Sequence, residues 1–182
     1  MKFDFIKGVS LGNFGNDLFV IRRFRKDDRF SLQKSISDRS IYRYTLRIPF
    51  PYTLNHAEIW IRKCRSSYSE KCPSDLGFAV VASGWVVGGI GLAYIEGHKA
   101  ELGYWLAKNH RGRGVMTRAV RIICSFGFQK LKLRRIYATV FSRNKASARV
   151  LEKAGFRFEG VLRKENMKKG RLIAALLFAK VI

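Results

Sequence analysis

A strand pattern passes directly into a helix pattern at residues 101–128, and this transition constrains the fold more than any other feature of the chain. Residues 101–107, ELGYWLA, have the composition of a buried strand. Beyond them, apolar residues recur at helical spacing and form one stripe: Val115, Ala119, Ile122, Ile123 and Phe126. Arg118 and Arg121 lie off that stripe. A strand followed at once by an amphipathic helix predicts a sheet layer packed against a helix layer.

The turn between the two patterns, NHRGRG, has the composition of an anion-binding site. The first N–H groups of a helix lack intrahelical partners, and the helix dipole adds positive charge there. Gly112 and Gly114 allow the backbone to approach a ligand closely, and Arg111 and Arg113 add full charges. The alternative is a tight turn with basic neighbours. The glycine spacing fits neither a Rossmann dinucleotide site nor a Walker nucleotide-binding loop.

The rest of the chain predicts one domain over residues 1–182. Strands are expected at 18–24, 78–82, 86–94, 100–106 and 134–141, followed by two last strands that flank a KENMKKG loop at 164–170. Helices are expected within the polar stretch 25–47, after a cap at Thr53 or Asn55, from Val115, and over 144–155. The order β–α–α–β–β–β–α–β–α–β–β predicts an α+β or α/β layered fold with a mixed sheet.

The charge is strongly positive and unevenly distributed. The net charge is +23, and residues 102–182 hold 20 of the 36 basic residues but 3 of the 13 acidic ones. This half should attract anions, which could be a phosphorylated cofactor, RNA or an acidic protein. The alternative is a solvated basic surface with no dedicated partner.

Cysteine, histidine and hydropathy patterns argue against several kinds of site and protein. Three cysteines without a CxxC spacing and three scattered histidines predict no metal site and no histidine-based triad. The N-terminal residues lack a signal-peptide pattern, so we expect a cytoplasmic protein with reduced thiols. The apolar run at 77–95 is broken by Gly and Ser, which favours buried strands over a membrane span.

Three segments together resemble a known family. AELGYWLAKNHRGRGVMTRAV, RRIYATVFSRNKASARVLEKAGFRFEGVLR and the upstream IPFPYTLNHAEIWI are similar to the GNAT superfamily of acetyl-CoA-dependent N-acyltransferases. Within it, the ribosomal-protein-alanine N-acetyltransferases resemble this chain most. The resemblance covers residues 18–182. It implies a mixed, mostly antiparallel central sheet flanked by helices, with a splayed strand pair that binds acetyl-CoA.

The resemblance also implies a cosubstrate site. In the family loop, Gln/Arg-x-x-Gly-x-Gly/Ala, Arg111 takes the first position, Gly114 the middle glycine, and Met116 stands where Gly or Ala is usual. The amides from Arg111 to Thr117 would hold the diphosphate, the thioester arm would pair with the strand end at 105–107, and Gly103 would mark a bulge. Asn144 would touch the arm or simply cap its helix. The expected cosubstrate-binding residues are Trp105, Leu106, Ala107, Arg111, Gly112, Arg113, Gly114, Val115, Met116, Thr117, Asn144 and Arg149, the last of which could equally be solvated.

Acetyl transfer to an amine requires a neutral amine, donors for the oxyanion and a proton for the leaving thiolate. By the resemblance, Glu101 and Glu165 are the candidate bases, although each could instead form an ordinary salt bridge and Asn166 could take the place of Glu165. Many family members carry a tyrosine as the thiolate's acid at the position of Leu151. Ser147 is the substitute expected in the ribosomal branch.

The expected function is therefore transfer of acetyl from acetyl-CoA to an amine, with the N-terminus of a ribosomal protein as the default acceptor and a weak RNA or ribosome contact through the basic surface. A polyamine would be repelled. The alternatives are a small-molecule amine such as an antibiotic, or a basic nucleic-acid- or ribosome-binding module on the same fold. Ala174 and Phe178 stand where the branch carries aspartate and tyrosine, which puts the acceptor in doubt.

Overall fold

The computed structural model describes residues 8–15 and 17–182, and its elements alternate much as the sequence predicts. In chain order they are β1 (Val9–Phe14), β2 (Asp17–Arg22), α1 (Arg29–Ile36), α2 (Arg39–Tyr44), α3 (Leu54–Ser67), β3 (Leu76–Ala82), β4 (Trp85–Glu96), β5 (Lys99–Leu106), α4 (Val115–Gln129), β6 (Arg135–Phe141), α5 (Lys145–Lys153), β7 (Arg157–Lys168) and β8 (Arg171–Val181). Short 3₁₀ turns precede α1 and follow β5.

The strands form one mixed sheet in the order β1-β2-β3-β4-β5-β6-β8-β7. Every neighbouring pair is antiparallel except β5 and β6, which are parallel because α4 crosses between them. The predicted mixed, mostly antiparallel sheet with flanking helices is confirmed.

The one parallel pair is also the shortest. β5 and β6 pair only from Lys99–Glu101 to Arg135–Tyr137, and their remaining residues have no partners across the gap. The strands therefore part after three residues and leave an opening in the middle of the sheet. This opening is the splayed pair that the sequence predicts.

The predicted bulge at Gly103 is wrong. Gly103 pairs regularly with Gly91, and the register shift lies in β4 between Ala93 and Glu96. One extra β4 residue is accommodated there, with Tyr94 in the left-handed region at φ +49°. The distortion therefore lies in β4, which flanks β5 on the side away from the opening.

Helices cover both faces of the sheet. On one face, α4 and α5 bury Val115, Ile123, Phe126 and Leu151 against the strands in the larger apolar core. On the other, α1–α3 bury a second cluster that includes Leu32 and Ile61. The helix α3 begins at the predicted cap, where the Thr53 side chain accepts a hydrogen bond from the His56 amide.

Three features differ from the sequence prediction, and the first is that the one helix expected within 25–47 is divided into α1 and α2. Strand β1, VSLGNF, was not predicted, because its glycine and polar residues weaken the strand pattern. At the other end, β7 continues to Lys168, so the predicted 164–170 loop shrinks to a turn at Lys169 and Gly170. Within the described ranges, no helix is long and apolar enough to cross a membrane.

Candidate active site

A cleft of about 1430 Å³ runs through the opening between β5 and β6. It is lined on one side by residues of α4 and α5, such as Ile122 and Val150, and on the other by residues of α2 and α3, such as Tyr44 and Trp60. The cleft therefore connects the two faces of the sheet. We call the α4–α5 end the nucleotide side and the α1–α3 end the acceptor side.

The glycine turn presents free helix amides to the nucleotide side. Gly114 is the N-cap of α4 at φ +86°, without a side-chain cap, and Gly112 has φ +79°. Helical bonding starts when the Arg118 amide donates to Gly114 at 3.1 Å, so the amides of Val115, Met116 and Thr117 precede the helical ladder. The prediction that the cradle includes the Arg111 amide is wrong, because that N–H donates to the Lys108 carbonyl at 3.2 Å.

Of the two arginines of the turn, Arg111 lines the cleft and Arg113 does not. Arg111 lines it, but its Nε donates to the Leu106 carbonyl at 2.8 Å and so fixes the turn to the end of β5. Arg113 points to Asp17, 3.4 Å away, and is absent from the cleft lining, in contrast to the prediction.

Other cations line the nucleotide side instead. Arg118 and Arg121 of α4 and Arg149 and Lys153 of α5 all line it; Arg121 donates to the Lys153 carbonyl, whereas the Arg118 guanidinium lies next to Gly12 of β1. Arg149 was predicted, and the other three were missed. The available signal was the position of Arg118 and Arg121 beside the apolar stripe of α4, one and two turns from the glycines.

The backbone of β5 exposes alternate residues to the opening. The Ala107 amide donates to the Val87 carbonyl on β4 at 2.8 Å. Because antiparallel pairs alternate, Trp105 also bonds to β4, and the peptide groups of Tyr104 and Leu106 face the opening. Of the three residues predicted to pair with a ligand arm, Leu106 therefore presents its N–H there, while its carbonyl accepts from Arg111 and the backbones of Trp105 and Ala107 face β4.

A pair of hydroxyls bridges the opening on the nucleotide side. Ser147 on α5 lies 2.8 Å from the Tyr104 hydroxyl, which also donates to the Ser147 carbonyl at 3.1 Å. Burial raises the pKa of Tyr104 well above its usual value, so the phenol keeps its proton. The sequence does not predict Tyr104 as a site residue, because no local pattern indicates that a tyrosine in a strand points its hydroxyl into a site. Asn144 caps α5 by accepting from the Ser147 amide at 3.2 Å and also lines the cleft, so the structure is compatible with both of its predicted roles.

On the acceptor side, Glu101 is held at the base of the opening. Its carboxylate accepts a hydrogen bond from Thr139 on β6 at 2.8 Å and lies 3.5 Å from Arg47, which follows α2. The Glu101 side chain is 19% exposed and lines the cleft. It therefore combines a fixed orientation with access to a ligand.

Of the remaining predicted positions, Asn166 lines the cleft, whereas Glu165, Ala174 and Phe178 do not. Glu165 is an exposed residue of β7, where a loop was expected, and its neighbour Asn166 lines the cleft instead. Phe178 is 2% exposed and packs edge-on against Phe158. Phe178 and Ala174 are both absent from the cleft lining, so the two departures from the family pattern change packing next to the site rather than its surface.

Sequence comparisons agree with this architecture. Residues 19–157 match the model of the acetyltransferase (GNAT) domain. The uncharacterized N-acetyltransferase p20 of Bacillus licheniformis is 31% identical over 162 residues, which cover 88% of this chain and 90% of p20. The probable N-acetyltransferase YjcK of Bacillus subtilis is 42% identical over 114 residues, or 59% of this chain and 62% of YjcK.

The chain belongs to the GNAT acetyltransferase family. The matched region, residues 19–157, includes both the glycine turn and the opening between β5 and β6. The predictions of the family, the fold and an acetyl-CoA-dependent N-acetyltransferase are confirmed at this level. Among solved GNAT structures, the ribosomal-protein-S5-alanine acetyltransferase of Vibrio fischeri superposes with a TM-score of 0.82 at 23% identity, covering 95% of this chain and 96% of that one. At that identity, the likeness supports the fold.

Proposed function

We propose that this GNAT protein acetylates the N-terminal amine of a protein, with a ribosomal protein as the first candidate. The observation that carries the proposal is the single cleft with two unlike ends joined through the sheet. One end has the free amides and arginines that a CoA nucleotide needs. The other is an open mouth that leads to the carboxylate of Glu101.

The nucleotide side suits the charged half of acetyl-CoA. Amides from Gly112 to Thr117 and the positive end of α4 would hold the diphosphate. The cations of the groove, Arg118, Arg121, Arg149 and Lys153, would neutralise the remaining phosphate. The thioester arm would then enter between β5 and β6, where the peptide groups of Tyr104 and Leu106 replace the missing strand partner.

The transfer itself needs no covalent enzyme intermediate. Glu101 would take a proton from the incoming ammonium, directly or through a water molecule, so that the neutral nitrogen attacks the thioester carbon. A β5 amide facing the opening would stabilise the oxyanion. As the C–S bond breaks, the Tyr104–Ser147 pair would donate a proton to the sulfur, and the second proton lost by the nitrogen would restore the pair through solvent. The products are the acetylated amine, CoA and the proton held by Glu101, which returns to solvent.

A protein N-terminus fits the acceptor side better than a polyamine. Arg47 lies at the mouth beside Glu101, and a polycation would be repelled there. An N-terminal amine has a pKa of about 8, so a substantial fraction is already neutral near neutral pH, which a lysine of pKa about 10.4 does not offer. The Vibrio fischeri structure named above is that of a ribosomal-protein acetyltransferase, which supports the same acceptor class.

The test is a search for products. The protein is incubated with acetyl-CoA and either isolated ribosomal proteins or a panel of small amines, including aminoglycosides, and acetylated species are located by tandem mass spectrometry. Acetylation at a protein N-terminus is the expected result. Exclusive acetylation of a small amine would overturn the acceptor, and RNA binding without any turnover would favour a binding module.

A further inference from the structure

The acceptor mouth carries a cluster of cations that the transfer reaction does not use. We call Arg39, Arg43, Arg47, Lys168 and Lys169 the basic rim. Arg39 and Arg43 lie one turn apart on α2, Arg47 follows that helix, and the two lysines end β7 and begin its turn. Residues one or two positions away in the same segments, Ser40, Tyr44 and Asn166, line the cleft. The rim therefore borders the path by which an acceptor reaches Glu101.

Aromatic rings hold most of these cations in place. Arg39 lies over Phe50 at 5.4 Å, Arg43 over Tyr44 at 6.0 Å and Arg47 over Tyr94 at 4.9 Å. Lys168 and Lys169 lie over the Tyr42 ring at 3.7 and 5.6 Å. Such contacts leave the outer side of a guanidinium or ammonium group open to a carboxylate.

Acidic partners for the rim are scarce. Within residues 8–15 and 17–182, neither Arg39 nor Arg43 has a carboxylate within salt-bridge distance. The nearby Asp38 caps α2 by accepting from the Ser40 amide at 2.5 Å, and Glu101 is bonded to Thr139. The rim therefore has an excess of positive charge beside an opening that admits a chain end.

We propose that the acceptor of this enzyme is a peptide with acidic side chains shortly after its N-terminus, an inference that rests on the proposed function. The amine would enter the cleft toward Glu101 while the following carboxylates bind the basic rim. Charge complementarity of this kind raises the encounter rate and selects among partners. It also explains how an enzyme of net charge +23 could hold a peptide without a deep specificity pocket.

The same contacts favour an acidic peptide over RNA. Proteins that bind single-stranded RNA at such surfaces stack bases on free aromatic faces. Here the Tyr42 ring is covered by two lysines and packs against Phe50 at 5.8 Å, while Phe50 is covered by Arg39. The rings thus serve to support cations, and the cations remain for ligand carboxylates.

Hydrogen bonds also fix the position of the basic rim within the fold. Lys168 donates to the carbonyls of Tyr42 and Thr45 at the end of α2, so the β7 end and α2 are tied together. Burial lowers the pKa of Lys168, with Lys169 adding repulsion, which is the expected effect of holding cations together. Lys168 is therefore a positioning residue, and Arg39 and Arg43 are the residues to test.

The experiment compares peptides that share their first residues and differ afterwards in Asp and Glu, Asn and Gln, or Arg. The expected kcat/KM for the acidic peptide is about 10-fold above the neutral one at low salt, and the ratio falls as salt screens the rim. The double variant Arg39→Gln/Arg43→Gln should bring the ratio close to one. Lys132→Asn is the matched control: it removes one charge from an exposed turn behind α4, at φ +58°, which asparagine tolerates, and should keep the ratio.

Binding of fluorescent peptides to the CoA-bound protein separates the two proposals. If acidic peptides bind more tightly than neutral ones but none is acetylated, the proposed acetylation is wrong, and binding of acidic peptides at the basic rim is supported. If all peptides are acetylated at equal rates, or the double variant keeps the preference, the rim proposal is overturned. It is also overturned if an RNA oligonucleotide binds in a way that depends on Arg39 and Arg43 while the peptides show no preference.

Discussion

The two ends of the cleft are built in opposite ways. The nucleotide side is formed from a few contiguous segments, the glycine turn, the first turns of α4 and the helix α5, and it presents the unpaired backbone amides at the start of α4. The acceptor side joins residues that are far apart in sequence. Lys168 bonds to carbonyls 126 and 123 residues away, and Glu101 bonds to Thr139, 38 residues away.

This difference explains what each side can specify. A backbone cradle depends on local conformation and binds any diphosphate of the right size, so it suits a cosubstrate shared by a whole family. A side-chain site assembled from α2, β5, β6 and β7 can change its charge without changing the fold. We therefore expect variants of the two sides to alter different kinetic constants.

The largest effect is expected on the acceptor side at Glu101. Glu101→Gln keeps the size of the side chain but removes the base, so kcat/KM near neutral pH should fall about 100-fold. The loss should shrink above pH about 8, where the N-terminal amine is deprotonated by itself. Steady-state kinetics over pH 6–9.5 measure both trends, and acetyl-CoA affinity by calorimetry should stay within about 2-fold. Full turnover in the variant would show that Glu101 is only a salt-bridge partner.

On the nucleotide side, Gly114→Ala should weaken CoA binding about 10-fold, which corresponds to about 1.4 kcal/mol. The added methyl group lies at the helix mouth, where the diphosphate must approach. Gly84→Ala is a matched control in the β3–β4 turn. Gly84 has φ +79° against +86° for Gly114, and a Cβ at either position meets nothing closer than 3.7 Å.

Both glycine variants should lose about 1 kcal/mol of stability, because each places a Cβ in the left-handed region. Only Gly114→Ala should change the dissociation constant of CoA in calorimetry. Equal affinities for the two variants would place the diphosphate elsewhere and would remove the basis for calling this end the nucleotide side.

Between the two sides, Tyr104→Phe should lower kcat about 10-fold, less than the loss of a typical general acid, because a thiolate is an acceptable leaving group. Ser147→Ala should have a similar effect, and the double variant should be no worse than either single one if the hydroxyls act as a unit. Rapid-quench measurements of the chemical step provide the test. Additive losses would show that the two hydroxyls act independently.

Sequence reasoning recovered the local elements of the site better than the side chains that the fold brings to the cleft. The strand–glycine–helix pattern and the Asn144 cap are local, so the turn, α4 and α5 were predicted close to their observed bounds. The register of β5, which decides that Tyr104 and Leu106 face the opening, depends on its pairing with β4 and is not visible in the sequence. The contacts of Lys168 with α2 likewise exist only after folding.

The smallest expected effect is on the pH dependence of stability. It compares the two faces of the sheet, because each buries one cysteine thiol. Burial raises the pKa of Cys64 on α3 and of Cys124 on α4 to about 12, from an ordinary value of 9.0. Both thiols stay protonated in the folded state, while the unfolded chain loses these protons above pH about 9. Their contribution to stability is therefore complete below pH 9 and declines as the pH rises toward 12, by at most about 1.4 kcal/mol per pH unit and thiol.

Urea unfolding between pH 8 and about 9.5 measures the part of this decline that comes mainly from the thiols, because the buried tyrosines contribute only near their ordinary pKa of 10.0. Cys64→Ala and Cys124→Ala should each remove a similar part of the slope, because the two faces share one sheet and unfold together. Cys72→Ala, at an exposed position, should leave the slope unchanged. If only one of the two buried variants flattens the slope, the faces unfold separately, and the acceptor side can open while the nucleotide side remains folded.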